Sequence, residues 1–206
     1  MVGDRLTKVL RDSDTVCRQG GDEFLTLLGD VRDSSDVAEI PHAGADLAMR
    51  LGQNDIELLV HNAGIGRFTS LESTSPEDVS SSFQVNAMAL LFLTRALLPR
   101  LRSGAKVALV SSRMGSIGDN GSGGYYGYRM SKAALNAAGV SLAHDLRPQG
   151  IAVVILHPGA VRTEMTSGQG AIDPDESAPG LLQRIDELKI ETTGRFLHEN
   201  GTALPW

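Results

Sequence analysis

Three stretches of the chain are almost wholly apolar and each has the length of one strand: Ile56–Val60 (IELLV), Lys106–Val110 (KVALV) and Ile151–Leu156 (IAVVIL). Short continuous runs of this kind, bounded by turn formers, predict strands covered on both faces. Between them the spacing becomes helical. Ser75-Pro76-Glu77-Asp78 predicts a helix start, with Ser75 as cap, proline in the first turn and acids beside the positive end of the dipole. That helix should run to about Leu98, where Pro99 discourages continuation. Its apolar positions (Phe83, Val85, Met88, Leu90, Leu91, Phe92, Leu93, Leu97) cover more than one face, which predicts burial on two sides. An alanine-rich run predicts a second helix over Tyr126–Leu146, and Pro174–Lys189 predicts a third. Arg195–Leu197 then reads as a short edge strand before the closing Leu204-Pro205-Trp206. Alternating strands and helices define an α/β class: a partial Rossmann-type doubly wound parallel sheet with helices on both faces.

The N-terminal part has a different pattern. Leu6, Val9 and Leu10 share one face of a short helix that Asp12-Ser13-Asp14 ends. Two strand-like runs, Thr15–Arg18 and Glu23–Leu28, flank a Gly20-Gly21 turn signal, so a helix and hairpin are expected over the first 30 residues or so. Residues 31–55 are polar, then weakly helical over Ala45–Leu51.

Composition narrows the classes of function. A net charge of −6 and no basic run argue against a nucleic-acid surface. No stretch reads as long and apolar enough to cross a membrane, and the N-terminus has no signal-peptide core, so a cytoplasmic protein is expected. Cys17 is the single cysteine and the five histidines lack ligand spacing, so neither a disulfide framework nor a metal site is expected. With 41 % hydrophobic residues the chain can bury a sizeable core.

The chemistry concentrates in Ser111–Lys132 (SSRMGSIGDNGSGGYYGYRMSK). A pair of serines ends a buried strand, and a glycine-rich loop leads to Tyr128 and Lys132. Four residues apart on a helix, these two share a face. A phenol beside an ammonium would have its ionised form favoured, making it a proton donor and acceptor nearer neutral pH. Ser112 is placed to polarise a substrate carbonyl, although Ser111 is an alternative. Tyr125 and Tyr126 crowd the same loop and read equally well as packing. His61 reads as strand-end packing.

Two resemblances attach to these residues. From about Ile56 onward the chain resembles a short-chain dehydrogenase/reductase of the C-factor and sniffer-like carbonyl reductase subgroup. The matching pieces are HNAG at His61–Gly64, Asn86 in QVNA, VSSRMGSI at Val110–Ile117, YRMSK at Tyr128–Lys132, HPGAVRTEM at His157–Met165 and the closing GRFLHENGTALPW. The resemblance implies an oxidoreductase acting on a carbonyl or alcohol with NAD or NADP. Ser112, Tyr128 and Lys132 would be catalytic, and Asn86 would fix a water linking Lys132 to solvent. Asn62, Ala63, Gly64, Lys132, Pro158, Gly159 and Thr163 would contact the cofactor. It also implies a homo-oligomer, dimer or tetramer, built through the helices bearing Asn86 and Tyr128, and a small-molecule substrate. The second resemblance is RLTKVLRDSDTVCRQGGDEFLTLL, which is similar to part of a diguanylate cyclase (GGDEF) domain. It lacks the upstream metal-binding aspartate, so no cyclase activity is expected of it.

The TGxxxGxG turn that opens a reductase of this family is found nowhere in the sequence. The expected organisation is therefore a GGDEF-like fragment over 1–40 joined to a truncated reductase domain over 41–206, the join falling between Leu28 and Ala45. Loss of the family's first strand would bare the edge of the Ile56 strand. Either Phe24–Leu28 is expected to lie against the sheet or a second subunit to cover the gap. Two other readings stay open: a hydrolase using Ser112 with Tyr128 and Lys132, and a non-catalytic chimera.

Overall fold

The computed structural model describes residues 55–206, Met49, and the backbone of two further strands, Asp14–Gly20 (β1) and Glu23–Leu28 (β2). The expected helix around Leu6–Leu10 and the segment holding the join lie outside the described residues. The remaining strands are β3 (Ile56–His61), β4 (Leu101–Val110), β5 (Ala152–His157) and β6 (Arg195–His198). They form one six-stranded sheet in the order β2-β1-β3-β4-β5-β6. From β3 to β6 all pairings are parallel, whereas β1 pairs antiparallel with both β2 and β3. The edge of β3 is thus covered by Asp14–Gly20, and Glu23–Leu28 pairs with that strand, so Phe24–Leu28 lies in the sheet as expected, one strand removed from β3.

Four helices connect the parallel strands: α1 (Pro76–Phe83), α2 (Ala89–Leu97), α3 (Tyr126–Leu146) and α4 (Pro174–Glu187). α1 begins as expected, with a full capping box between Ser75 and Asp78. It does not run unbroken to Leu98. Gln84–Met88 forms a π turn, where the Ala89 amide reaches back to the Gln84 carbonyl. The combined run Pro76–Arg100 spans 25 residues and holds an 18-residue window with a mean hydropathy of 1.2, enough by length and composition to cross a membrane. This corrects the expectation that no such stretch exists. Leu90, Leu93 and Leu97 of this run nevertheless belong to the main core cluster.

Side-chain alternation along the strands feeds two cores. One face (Ile56, Leu59, Val107, Leu109, Val153, Ile155, Phe196) packs on α2 and α3 through Leu90, Leu93, Leu97, Leu135, Leu142 and Leu146. The other face (Ala108, Val154, Leu156) packs on Ile185 and Leu188 at the end of α4. β4 is longer than its apolar core suggests. Its first half, LRSGA, joins through an irregular register between Ile56↔Leu101 and Leu58↔Lys106, and those polar residues carry no strand signal.

Candidate active site

The carboxyl ends of β3, β4 and β5 lie at one edge of the sheet, the edge where α/β folds place ligands. They deliver Asn62–Gly64, Ser111–Ser112 and Pro158–Gly159 respectively. Gly115 and α3 meet there at a distance only glycine permits. A Cβ on Gly115 would lie 2.7 Å from the Lys132 carbonyl carbon and 2.8 Å from its oxygen. The turn after Ser112 therefore lies flat on the helix that carries Tyr128 and Lys132. Arg129 ties the same loop down, donating to Ser122 Oγ at 2.8 Å and reaching the Gly123 and Met114 carbonyls at 3.3 and 3.4 Å.

The two serines separate cleanly. Ser111 Oγ donates to Asn136 Oδ1 at 2.6 Å, inside the domain. Ser112 Oγ accepts from the Met114 amide at 3.1 Å and lies beside the Tyr128 phenol. Tyr128 is 7 % exposed. Burial pushes its phenol above the usual tyrosine range, and the hydrogen bond with Ser112 only partly opposes this.

Lys132 departs from expectation. Its Nζ donates to the Val110 carbonyl at 3.0 Å and lies 5.8 Å from the Tyr128 ring centre. Burial lowers its pKa to about 8. The anticipated lowering of the phenol by a neighbouring ammonium is not what this arrangement gives: desolvation governs Tyr128, and the ammonium is held at the end of β4.

Asn86 sits in the π turn, a helix irregularity that often accompanies functional positions. Its Oδ1 accepts from the Ile65 amide at 2.8 Å, and its Nδ2 donates to the Ile65 carbonyl and to Ser131 Oγ, both at 2.9 Å. Ser131 Oγ donates onward to the Tyr128 carbonyl at 2.8 Å. Asn86 thus clamps the loop after β3 to the helix bearing Tyr128. At that loop, a Cβ on Gly64 would lie 3.3 Å from Asn86 Oδ1 and 3.4 Å from Lys132 Nζ. Both distances are at or below the short limit of ordinary van der Waals contact, so the glycine lets the loop backbone pack directly against both groups.

The other expected contacts lie across the edge. The Pro158 carbonyl accepts from Ser177 Oγ at 2.6 Å, and Gly159 takes a left-handed φ of 87°. The Thr163 amide donates to Thr166 Oγ1 at 3.0 Å, which fixes the loop after β5. His61 is buried against α2, with Nε2 2.8 Å from Thr94 Oγ1.

Phe68 was not singled out by the sequence. Its ring meets Tyr125 and Tyr128 edge-on, at 5.3 and 5.4 Å between centres. Tyr125 itself holds a left-handed φ of 54°, with its amide donating to the Thr69 carbonyl at 3.0 Å. The chain end packs on the loop after Ser112. Gly118 donates to the Trp206 carbonyl at 2.7 Å, and Trp206 stacks on Phe196 at 5.5 Å.

A largely parallel sheet flanked by helices, with its loops gathered at the carboxyl edge, defines a Rossmann-like α/β fold. The family model for short chain dehydrogenases matches residues 3–172, and the chain belongs to that family. The match begins at residue 3 and so takes in the N-terminal segment as well. Among curated relatives, the chain is 41 % identical over 166 residues to 1-hydroxy-2-glutathionyl-2-methyl-3-butene dehydrogenase of Rhodococcus sp. (strain AD45), covering 78 % of this chain and 74 % of the relative. It is 45 % identical over 154 residues to the C-signal protein of Myxococcus xanthus, covering 73 % and 93 %. Among solved structures, the carbonyl reductase Sniffer of D. melanogaster superposes with a TM-score of 0.78 at 32 % identity, covering 87 % of this chain and 77 % of that one. The NADPH-bound carbonyl reductase from chicken fatty liver gives 0.77 at 34 %, covering 84 % and 74 %.

Proposed function

We propose that the chain is a carbonyl reductase or alcohol dehydrogenase using NAD or NADP on a small-molecule substrate. The observation that carries this reading is that Ser112, Tyr128 and Lys132 are all buried where β4 ends against α3, with the turn after Ser112 seated on that helix at Gly115. A reduced nicotinamide bound at this edge would supply the hydride. Ser112 Oγ donates to the carbonyl oxygen and polarises it, and Tyr128 gives that oxygen its proton. Burial keeps the phenol protonated, the form that can donate. Lys132 and the backbone of Asn62-Ala63-Gly64 border the space for the nicotinamide ribose. Pro158, Gly159 and Thr163 border it from β5. Asn86 is a positioning residue that acts through Ile65 and Ser131.

The same reading takes residues 1–40 as a GGDEF-like fragment without cyclase activity, supported by the sequence RDSDTVCRQGGDEF, and residues 41–206 as a reductase domain lacking the TGxxxGxG turn. A cytoplasmic location and a homo-oligomer formed through the helices of Asn86 and Tyr128 belong to it. The hydrolase alternative gains nothing from the geometry, because Lys132 is directed at the Val110 carbonyl and Ser112 Oγ accepts from a backbone amide.

The test is a carbonyl panel assayed with NADPH and NADH, following cofactor oxidation, for wild type and Ser112→Ala. A rate lowered about 100-fold or more by the substitution supports the reading. Turnover unchanged in Ser112→Ala, or none in the wild type with any carbonyl, contradicts it.

A further inference from the structure

Phe68 is a large apolar residue left exposed against a buried reacting group. Its ring packs edge-on on the Tyr128 ring at 5.4 Å between centres, yet Phe68 is 44 % exposed. Tyr125, 40 % exposed, meets the same ring at 5.3 Å. Three loops converge here. A Cβ on Gly66, in the loop after β3, would lie 2.8 Å from Phe68 Cζ and 3.0 and 3.1 Å from Met165 Cγ and Sδ. Glycine therefore lets the Phe68 ring fold back on its own loop, beside a methionine from the loop after β5. The loop entering α3 supplies Tyr125, and the first turn of α3 supplies Tyr128.

The backbone at Tyr125 is strained. A left-handed φ of 54° is costly for a bulky side chain, and Gly123 and Gly124 just before it take the same region without that cost. The Tyr125 amide donates to the Thr69 carbonyl at 3.0 Å, tying this strained residue to the loop that carries Phe68. Strain held in this way points to a functional constraint, and what it secures is a pair of exposed rings beside Tyr128. The cations next in sequence to Phe68, Ser112 and Tyr128 are already matched. Arg67 pairs with Asp78 at 3.4 Å and Arg113 pairs with Asp119. Arg129 is bonded to Ser122 and to loop carbonyls. A carboxylate on the substrate would have to break one of these contacts.

We propose that Phe68 and Tyr125 form the substrate-selecting wall of the site, and that the substrate is a neutral carbonyl compound bearing an aromatic ring. That ring packs on Phe68 while the carbonyl oxygen reaches Tyr128, adding a third ring contact that an alkyl group cannot make. This inference rests on the reductase reading above and adds a substrate class to it.

The experiment measures kcat/KM for benzaldehyde, cyclohexanecarbaldehyde and 4-carboxybenzaldehyde, with NADPH and with NADH, for the full chain and for Phe68→Leu and Phe68→Tyr. Wild type should prefer benzaldehyde to its carboxylate by about tenfold or more, since that charge would be left unpaired. Phe68→Leu should lower the ratio of benzaldehyde to cyclohexanecarbaldehyde by about threefold to tenfold, and Phe68→Tyr should keep it. An unchanged ratio in Phe68→Leu overturns the inference, as does an equal loss with all three aldehydes, which would make Phe68 only a support for Tyr128. The wild-type preference stands as a test even where Phe68→Leu does not fold: a preference for the carboxylate overturns the inference. Turnover confined to non-aromatic carbonyls also overturns it and leaves the reductase reading intact. Turnover of no carbonyl overturns both.

Discussion

Lys132 Nζ donates to the backbone carbonyl of Val110 at 3.0 Å, so the ammonium of α3 is bonded to the end of β4. Because burial holds its pKa at about 8, against 10.5 when exposed, the folded state binds fewer protons than the unfolded state between those values. Stability should therefore rise with pH across that window. Denaturant unfolding at pH 7.5 and 9.5 should show wild type gaining about 2 kcal/mol more than Lys132→Met, at 1.36 kcal/mol per pH unit. Equal gains would show that Lys132 is solvated.

Asn86 satisfies both polar groups of the Ile65 backbone and the Ser131 hydroxyl from one buried amide. Asn86→Ala leaves the Ile65 amide and carbonyl without this partner and should cost on the order of 3 kcal/mol. Asn86→Asp keeps the acceptor but loses the two donors, and should be destabilised as well. If Asn86 acts only by positioning Tyr128, the surviving folded fraction of Asn86→Ala loses kcat with little change in KM.

Gly115→Ala places a methyl group against the Lys132 backbone, where no flexible side chain can yield. The turn and α3 must separate. A stability loss of about 1–3 kcal/mol is expected, with activity falling further than stability because Ser112 and Tyr128 are carried on the two parts that move. Activity retained at the wild-type level would show that their spacing does not matter.

His61 is neutral in the folded chain, with burial lowering its pKa to about 3 from 6.5. The unfolded state takes up a proton between those values and the folded state does not, so this share of stability is present above pH 6.5 and is lost as pH falls toward 3. His61→Asn should lose about 2 kcal/mol less than wild type between pH 6.5 and 4.5, read from urea midpoints. His157, lowered to about 4 by burial and its neighbours, leaves residual acid sensitivity in that variant.

Much of this was legible in the chain. The three apolar runs become β3, β4 and β5, and Tyr126–Leu146 is found with the expected bounds. Local signals sufficed there because capping, periodicity and burial all agree. What escaped has identifiable causes. The π turn at Gln84–Met88 sits inside an unbroken helical pattern. The first half of β4 is polar and is held by its neighbours. The polarity of β1 depends on pairing, which hydrophobic spacing does not encode. In the site, the i to i+4 spacing of Tyr128 and Lys132 was correct, but their electrostatic relationship was not, because desolvation depends on what packs around a group. Phe68 carried no signal beyond being an aromatic residue in a loop.

The central claim is that Tyr128 supplies the proton in carbonyl reduction. Its most direct test is kcat/KM for carbonyl reduction by wild type and Tyr128→Phe, with cofactor binding to both measured by calorimetry. The phenyl ring preserves the contact with Phe68 and removes only the hydroxyl. A fall of about 100- to 10,000-fold in kcat/KM with unchanged cofactor affinity is predicted; a variant that reduces carbonyls at the wild-type rate would contradict the account.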